Sequence, residues 1–308
     1  MRAAALTEFG GADKVSLRDV ADPPVGPDTV LVSVRAAGVN PVDWKVASGK
    51  LKPLFPHRFP LVPGWDVAGV VERVGPAVTE FAPGDEVIAY ARRDDVQWGT
   101  YAELVPVPVR CVAAAPVSVD LTHAAALPLA GLTALQAVEA VGVGPDDTVL
   151  VHAAAGGVGQ FAAQLARLRG ARVIGTAGPD NHAYLRETLH VEAVEYGEGL
   201  AERVRALAPD GVDAALDFVG GDALDVSPAL VHDPGRIVTV VDAAAVAELG
   251  GRYVFVRPDA AGLAHLVELV DAGELHVDLA RTFPLAEVAR AWELSQTGHV
   301  RGKVVIEV

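Results

Sequence analysis

Cysteine is almost missing from this chain: Cys111 stands alone among 308 residues. One thiol excludes an internal disulfide and a four-cysteine zinc ribbon, and it fits a reducing, cytoplasmic setting. Basic residues are also scarce, 25 Lys and Arg against 40 Asp and Glu, for a formal net charge of −15. That balance argues against a nucleic-acid backbone or an anionic membrane as the principal partner. The first residues carry Glu8 and Asp13 and lack a long apolar core, so they do not read as a secretory signal. The one long uncharged run, residues 148–166, is about long enough to cross a bilayer. Its three glycines, His152 and two glutamines make it a buried strand, turn and helix instead. No internal repeat or low-complexity linker is present. A hydrophobic content of 51 % excludes disorder as the main state, and the length predicts about two domains.

What the chain does have is the stretch TVLVHAAAGGVGQFAAQLARLRGARVIGT, residues 148–176. A buried apolar strand, a cluster of small residues, an amphipathic helix with Val158, Phe161, Leu165 and Leu168 on one face, and a second apolar strand follow in order. This is the βαβ pattern that binds dinucleotides. Its glycines allow a tight turn and a close approach to pyrophosphate, and the helix N-terminus offers free N–H groups. The spacing G-x-G-x-x-G is filled by Ala154, Gly156 and Gly159, so its first glycine is an alanine. With Gly157 and Val158, these residues form the expected cofactor turn.

The fold class expected is α/β. Residues 1–117 carry short Val-rich runs at 30–34, 67–74, 86–89 and 101–105 between Gly, Pro and Asp turns, which predicts a β-rich barrel or sandwich. An alanine-rich helical stretch begins at Leu121. Strands are then predicted at 149–152, 172–175, 193–196, 214–218, 237–241 and 253–256, with helices between most of them. Such alternation specifies a doubly wound parallel sheet. Two helices and a last strand over 303–308 follow Pro258. The predicted domains are 1–117 with 258–308, and 118–257.

Eight stretches in order, AAGVNPVDWK (36–45), VPGWDVAGVVERVG (62–75), FAPGDEV (81–87), GTYAELV (99–105), AALPLAGLTA (125–134), HAAAGGVG (152–159), VDAALDFVGG (212–221) and RGKVV (301–305), resemble the zinc-free, quinone oxidoreductase-like branch of the medium-chain dehydrogenase/reductase superfamily. The resemblance covers nearly the whole chain. It implies a GroES-like barrel from both ends of the sequence, an inserted Rossmann domain, and an active site in the cleft between them. It also implies NADP(H)-dependent reduction of quinones, enones or related conjugated carbonyls. Zinc-dependent relatives have Cys where this chain has Asn40, and Gly-His-Glu where it has Gly64-Trp65-Asp66. Asn and Trp cannot replace a thiolate and an imidazole, so no metal is expected.

Asn40, Asp43 and Lys45 lie in the motif that faces the nicotinamide in relatives. Asn40 has a donor and an acceptor to orient a carboxamide or carbonyl, or else to satisfy its loop. Lys45 would stabilise charge on a reduced oxygen, or be a solvated surface group. Lys50-Leu51 stands where relatives carry a tyrosine, which leaves proton donation to water. Phe218, Val219 and Gly220 are expected along the nicotinamide, after Asp217, which either joins them or caps the turn. The second strand ends Gly175-Thr176-Ala177-Gly178 without a carboxylate, which favours NADP(H) over NAD(H). Asp180 reads as an N-cap. Thr176, Asn181, His182 and Tyr196 are expected at the 2′-phosphate, His182 in place of a lysine common in relatives. Arg301 and Lys303 are expected near the cofactor phosphates, and Cys111 is read as structural. The apolar residues Trp44, Leu51, Leu54, Phe55 and Trp65 would form a wall for a flat acceptor.

The sixth strand, with Tyr253 and Phe255 on one face and Val254 and Val256 on the other, predicts an edge-to-edge homodimer. Two other functions fit the same residues: a biosynthetic tailoring enoyl or ketone reductase, and a non-catalytic NADPH-binding structural or sensing protein.

Overall fold

A computed structural model describes residues 1–308. The chain forms two compact units, Met1–Leu129 with Pro258–Val308, and Ala130–Arg257.

The first unit is built on β1 (Arg2–Ala5), β2 (Ser16–Asp19), β3 (Thr29–Val39), β4 (His57–Val62), β5 (Asp66–Val74), β6 (Glu86–Tyr90), β7 (Val96–Trp98), β8 (Leu104–Pro108) and β9 (Val112–Ala114). Helix α1 (Pro41–Ala47) follows β3, and α2 (Leu121–Ala124) precedes α3 (Pro128–Ala140), which belongs to the second unit from Ala130 onward. The long strand β3 organises the barrel because it pairs antiparallel with both β5 and β8. Register shifts at 31/32 and 34/36 bend it, as bulges do. Gly69 lets β5 approach: a Cβ there would lie 2.2 Å from the Ser33 carbonyl oxygen. The composition change at residue 121 falls inside this unit rather than at its border, because α2 packs on β3 and β5. The strand read at 101–105 runs instead over Leu104–Pro108, and Tyr101 enters the interior from a turn.

The second unit holds six parallel strands: β10 (Thr148–Val151), β11 (Arg172–Ala177), β12 (Glu192–Glu195), β13 (Ala214–Asp217), β14 (Ile237–Thr239) and β15 (Arg252–Tyr253). Their spatial order is β12-β11-β10-β13-β14-β15, a doubly wound 3-2-1-4-5-6 sheet. The intervening helices are α4 (Gly159–Leu168), α5 (His182–Glu187), α6 (Leu200–Leu207), α7 (Asp222–Val226) and α8 (Ala243–Glu248). Strand β10 lies at the centre, which explains its unbroken apolar run. Its apolar residues Val149, Leu150 and Val151 are fully buried. Strand β15 is only two residues long, shorter than read, although the Val254 N–H still bonds to the Thr239 carbonyl.

The chain returns to the first unit through α9 (Ala260–Asp271), β16 (Leu279–Pro284), α10 (Val288–Gln296) and β17 (Lys303–Glu307). Strand β17 pairs antiparallel with the end of β3, Val304 opposite Val39. That register puts Lys303 level with Asn40, where β3 hands over to α1.

Candidate functional site

The turn after β10 is held open by its backbone. Ala153 takes φ +53°, a left-handed conformation that L-residues enter at a cost, in the position just before the motif's missing glycine. Two bonds from Thr176 fix it: the Ala153 N–H donates to Thr176 Oγ1 (3.1 Å) and the Ala154 N–H to the Thr176 carbonyl (2.9 Å). Ala154 must be small because β11 is close; a Cβ on Gly175 would lie 2.7 Å from its Cβ. Gly159 begins α4 against the turn, with its missing Cβ 2.1 Å from the Ala153 carbonyl oxygen. No side chain caps α4, and Gly156, Gly157 and Val158 are half-buried. Open N–H groups at a helix start beside a backbone without side chains are the donor set that a pyrophosphate requires.

At the same end of the sheet, β13 runs into Phe218–Gly221. The buried Asp217 carboxylate accepts from the Val219 and Gly220 N–H groups (3.0 and 2.9 Å) and from Thr239 Oγ1 (2.6 Å). Asp217 therefore caps this turn. Gly220 at φ +77° completes it, while Val219 is exposed and Phe218 half-buried. The two turns flank the point where the strand order reverses, the binding edge of such sheets.

The end of β11 gathers polar groups. Thr176 is buried and spent on the turn, so it supports the site rather than facing a phosphate directly. His182 Nε2 donates to the Ala177 carbonyl (3.2 Å). Tyr196 is 51 % exposed, and its hydroxyl lies 3.8 Å from where a Cβ on Gly178 would stand. Asn181 precedes α5 without a side-chain cap bond. Asp180 is not the cap it was expected to be: it sits inside the 3₁₀ turn Pro179–Asn181, where no side chain caps either helix. One cation went unread in the sequence. The Arg203 guanidinium reaches the carbonyls of Glu195, Tyr196 and Gly197 (3.0, 3.4 and 3.3 Å) at the end of β12.

In the first unit, Asn40 and Asp43 join a buried polar cluster that the sequence did not reveal. Asn40 Nδ2 donates to Asp66 Oδ2 (2.8 Å), while Asn40 Oδ1 accepts from Lys303. Lys303 Nζ also donates to the Val39 carbonyl (3.0 Å) and lies 3.7 Å from Asp66 Oδ2. The other Asp66 oxygen accepts from the Leu129 N–H (2.7 Å). Asp43 Oδ2 accepts from the Asn40 N–H (2.7 Å), half of a capping box on α1, and from the Tyr101 hydroxyl (2.6 Å). Lys303 was expected beside cofactor phosphates; its side chain is 3 % exposed and its donors are taken up inside the first unit. Arg301 pairs with Asp278 (3.2 Å).

Burial dominates the electrostatics. It pushes the Asp43 carboxyl up to about 7 against its bonds from Tyr101 and Asn40, with Asp66 pushing the same way and Lys303 opposing. Burial also lifts Asp66 to about 6, Lys303 opposing most strongly, and lowers Lys303 against the pull of both carboxylates. Lys45 is half-buried 5.6 Å over the Trp44 ring; burial first and Lys50 second lower its pKa. Of Asn40, Asp43 and Lys45, only Lys45 has its polar group outside the buried cluster. The expected apolar wall divides: Phe55 and Trp65 are core, stacked edge-on at 5.9 Å, whereas Leu54 is exposed.

A mostly antiparallel sheet that takes in the C-terminal strand beside β3, with an inserted 3-2-1-4-5-6 sheet and a glycine turn, defines a medium-chain dehydrogenase/reductase. Residues 26–117 match the alcohol dehydrogenase GroES-like domain, and residues 190–306 match the zinc-binding dehydrogenase family. The chain is 30 % identical to the chloroplast envelope quinone oxidoreductase homolog of Arabidopsis thaliana, over 97 % of this chain and 95 % of that protein. It is 34 % identical to the chloroplastic NADPH-dependent alkenal/one oxidoreductase of the same plant, over 99 % and 79 %. The solved quinone oxidoreductase from Coxiella burnetii superposes with a TM-score of 0.88 at 34 % identity, covering 100 % and 99 % of the two chains. The chain belongs to the quinone oxidoreductase-like branch of the medium-chain dehydrogenase/reductase superfamily, and it is an oxidoreductase of that kind.

A nicotinamide dinucleotide fits the residues present, because the turn offers free donors and no side chain to obstruct a phosphate. Zinc does not fit. Trp65 has no lone pair to offer, both Asp66 oxygens are already bonded, and an ammonium stands beside that carboxylate.

Two outcomes follow from this geometry. Gly159→Ala forces a Cβ against backbone that cannot yield, so cofactor affinity falls at least about tenfold, on the reasoning that one lost charge-assisted bond is worth about 1.5–3 kcal/mol. Gly156→Ala meets the Ala153 carbonyl only at 3.2 Å and keeps the fold; fluorescence titration with NAD(P)H measures both. The second outcome concerns pH. A carboxyl whose folded pKa is raised keeps a proton that the unfolded chain releases, so stability declines as pH rises from roughly 4 to about 7. Asp43→Asn flattens that decline in unfolding temperatures measured between pH 5 and 8; equal slopes would refute the assignment.

Proposed function

We propose that this enzyme is an NADPH-dependent, zinc-independent reductase of quinones, enones or similar conjugated carbonyl compounds. The observation that carries the reading is the backbone-lined turn Ala153–Gly159, together with a second-strand end that has no carboxylate. An acidic residue there would repel a 2′-phosphate; Asn181, His182 and Tyr196 offer it hydrogen-bonding groups instead, with the Arg203 cation at the end of β12. The NADPH dependence in the name of the alkenal/one relative supports the same preference.

Bound NADPH supplies the hydride. The protein's part is to bind, orient and stabilise charge. The turn N–H groups hold the pyrophosphate; Phe218, Val219 and Gly220 line the nicotinamide; and Asn40 and Asp43 fix the start of α1. Lys45 is the ammonium available to stabilise charge developing on the acceptor oxygen. Without a Lewis acid, the acceptor must spread that charge through its own conjugation, which suits a quinone or enone better than a simple alcohol. Water supplies the proton. The partner copy in this reading is a second chain joined along the sheet edge near Tyr253–Val256, where Tyr253 and Phe255 are exposed. No helix is long and apolar enough to cross a membrane.

NADPH oxidation followed at 340 nm against a panel of quinones and enones, with and without a chelator, tests the reading. Turnover independent of chelator is expected, and no oxidation with any acceptor would end it. His182→Ala should raise the NADPH KM about fivefold with little change in kcat, the effect of one neutral hydrogen bond worth about 1 kcal/mol. Light scattering at micromolar concentration should return a dimer; a monomer removes the edge-to-edge assembly.

A further inference from the structure

The family's name carries a metal that this chain's residues do not fit, and an internal ammonium lies among the residues at that place. We propose that Lys303 is a positioning residue that stands in for the metal, fixing the Asn40 amide and the start of α1 through contacts to Asn40 Oδ1, the Val39 carbonyl and Asp66. The proposal rests on the reductase reading for its consequence in turnover, but its geometry is independent of that reading.

The backbone delivers the three groups. Strand β17 sets Val304 opposite Val39, so Lys303 falls level with Asn40. Its own N–H bonds to the Asp278 carbonyl (3.0 Å), and the chain enters through Gly302 at φ +73°, where a Cβ would lie 2.4 Å from that same carbonyl oxygen. Asp66 opens β5 on the other side of β3. Gly38 leaves it room, since a Cβ there would come within 2.9 Å of Asp66 Oδ2. Lys303, Asn40 and Asp66 thereby close a ring of donors and acceptors in which no residue is more than 3 % exposed.

That ring dictates one orientation of the Asn40 side chain. An ammonium can only donate and a carboxylate can only accept, so Oδ1 must face Lys303 and Nδ2 must face Asp66. A flipped amide would set NH₂ against ammonium and oxygen against carboxylate. The Asn40 backbone N–H is held by Asp43 at the same time, so the side-chain orientation and the first turn of α1 are fixed together. Stability alone is a poor account of the pair, because replacing a buried ion pair by uncharged groups of similar size is often neutral or stabilising. The other charged and titratable groups facing the cluster are Asp43 and Tyr101, and neither donates to Asn40 Oδ1. A phosphate role is inconsistent with an ammonium whose contacts all lie within the first unit.

The test compares Lys303→Met, Lys303→Arg and the double variant Lys303→Met/Asp66→Asn with the wild-type enzyme. Lys303→Met should lower kcat about tenfold or more while the NADPH KM stays within about twofold, and it should lower the unfolding temperature by leaving Asp66 without a counter-charge. Lys303→Arg, which keeps charge and donors, should retain more turnover than Lys303→Met. The double variant removes both charges, so it should recover the unfolding temperature but not kcat. Recovery of kcat along with stability would overturn the proposal by reducing the pair to scaffolding. A rise in NADPH KM at constant kcat would overturn it in favour of a phosphate contact. A crystal structure of the double variant gives an answer without activity: the Asn40 amide turned or the start of α1 displaced supports the proposal, and Asn40 unmoved overturns it. One zinc per chain in the purified wild-type protein would also overturn it. A wild-type protein that reduces no acceptor would sink the reductase reading and leave the structural comparison to decide the role of Lys303.

Discussion

A carboxylate sealed from water must be surrounded by donors or it gives up its charge, and Asp66 lives under that requirement. Its donors come from three distant stretches: the Asn40 amide, the Lys303 ammonium and the Leu129 N–H. Each brings its own element to the start of β5, which Asp66 opens. Asn40 follows β3 and caps α1, Lys303 opens the last strand, and Leu129 lies at the beginning of α3. Satisfying one buried charge therefore ties both ends of the sequence to the barrel. It also accounts for Gly38, whose missing Cβ would stand 2.5 Å from the Ala125 carbonyl oxygen as well as against Asp66 itself.

The second unit solves a different problem with different materials. A dinucleotide brings its own charges, so the protein needs exposed N–H groups and empty space more than side chains. Small residues provide both. Ala154 and Gly175 let β10 and β11 close up, Gly159 lets the helix start against the turn, and the Thr176 hydroxyl supplies the bond that holds Ala153 in its left-handed conformation.

This difference explains what the sequence discloses. The turn is local, and its glycine spacing between two apolar strands can be read directly; so can the strand order, because the βα repeat admits few topologies. Strand ends are less legible. Hydrophobic alternation runs on to Val256 although the last bond to β14 is the one from the Val254 N–H, and it begins at Tyr101 although the strand starts at Leu104. The polar cluster was out of reach because its members are separated by up to 263 positions. A lysine near the C-terminus looks like any surface cation until the register of β17 against β3 places it inside. The hydroxyl of Tyr101 was hidden for the same reason: nothing near it in the chain names Asp43 as its target. Asp180 misled through its residue type, since an acid before a short helix resembles a cap whether or not the backbone enters a 3₁₀ turn first.

Cys111 takes on a further meaning beside the chemistry proposed for the enzyme. Quinones and enones are soft electrophiles that alkylate accessible thiolates, and a protein handling them is exposed to damage by its own reactants. The chain's one thiol is only 2 % exposed, and burial pushes its pKa up, so little reactive sulfur is presented to them. The scarcity that excluded a disulfide thus leaves almost no thiol for the compounds it would reduce to attack.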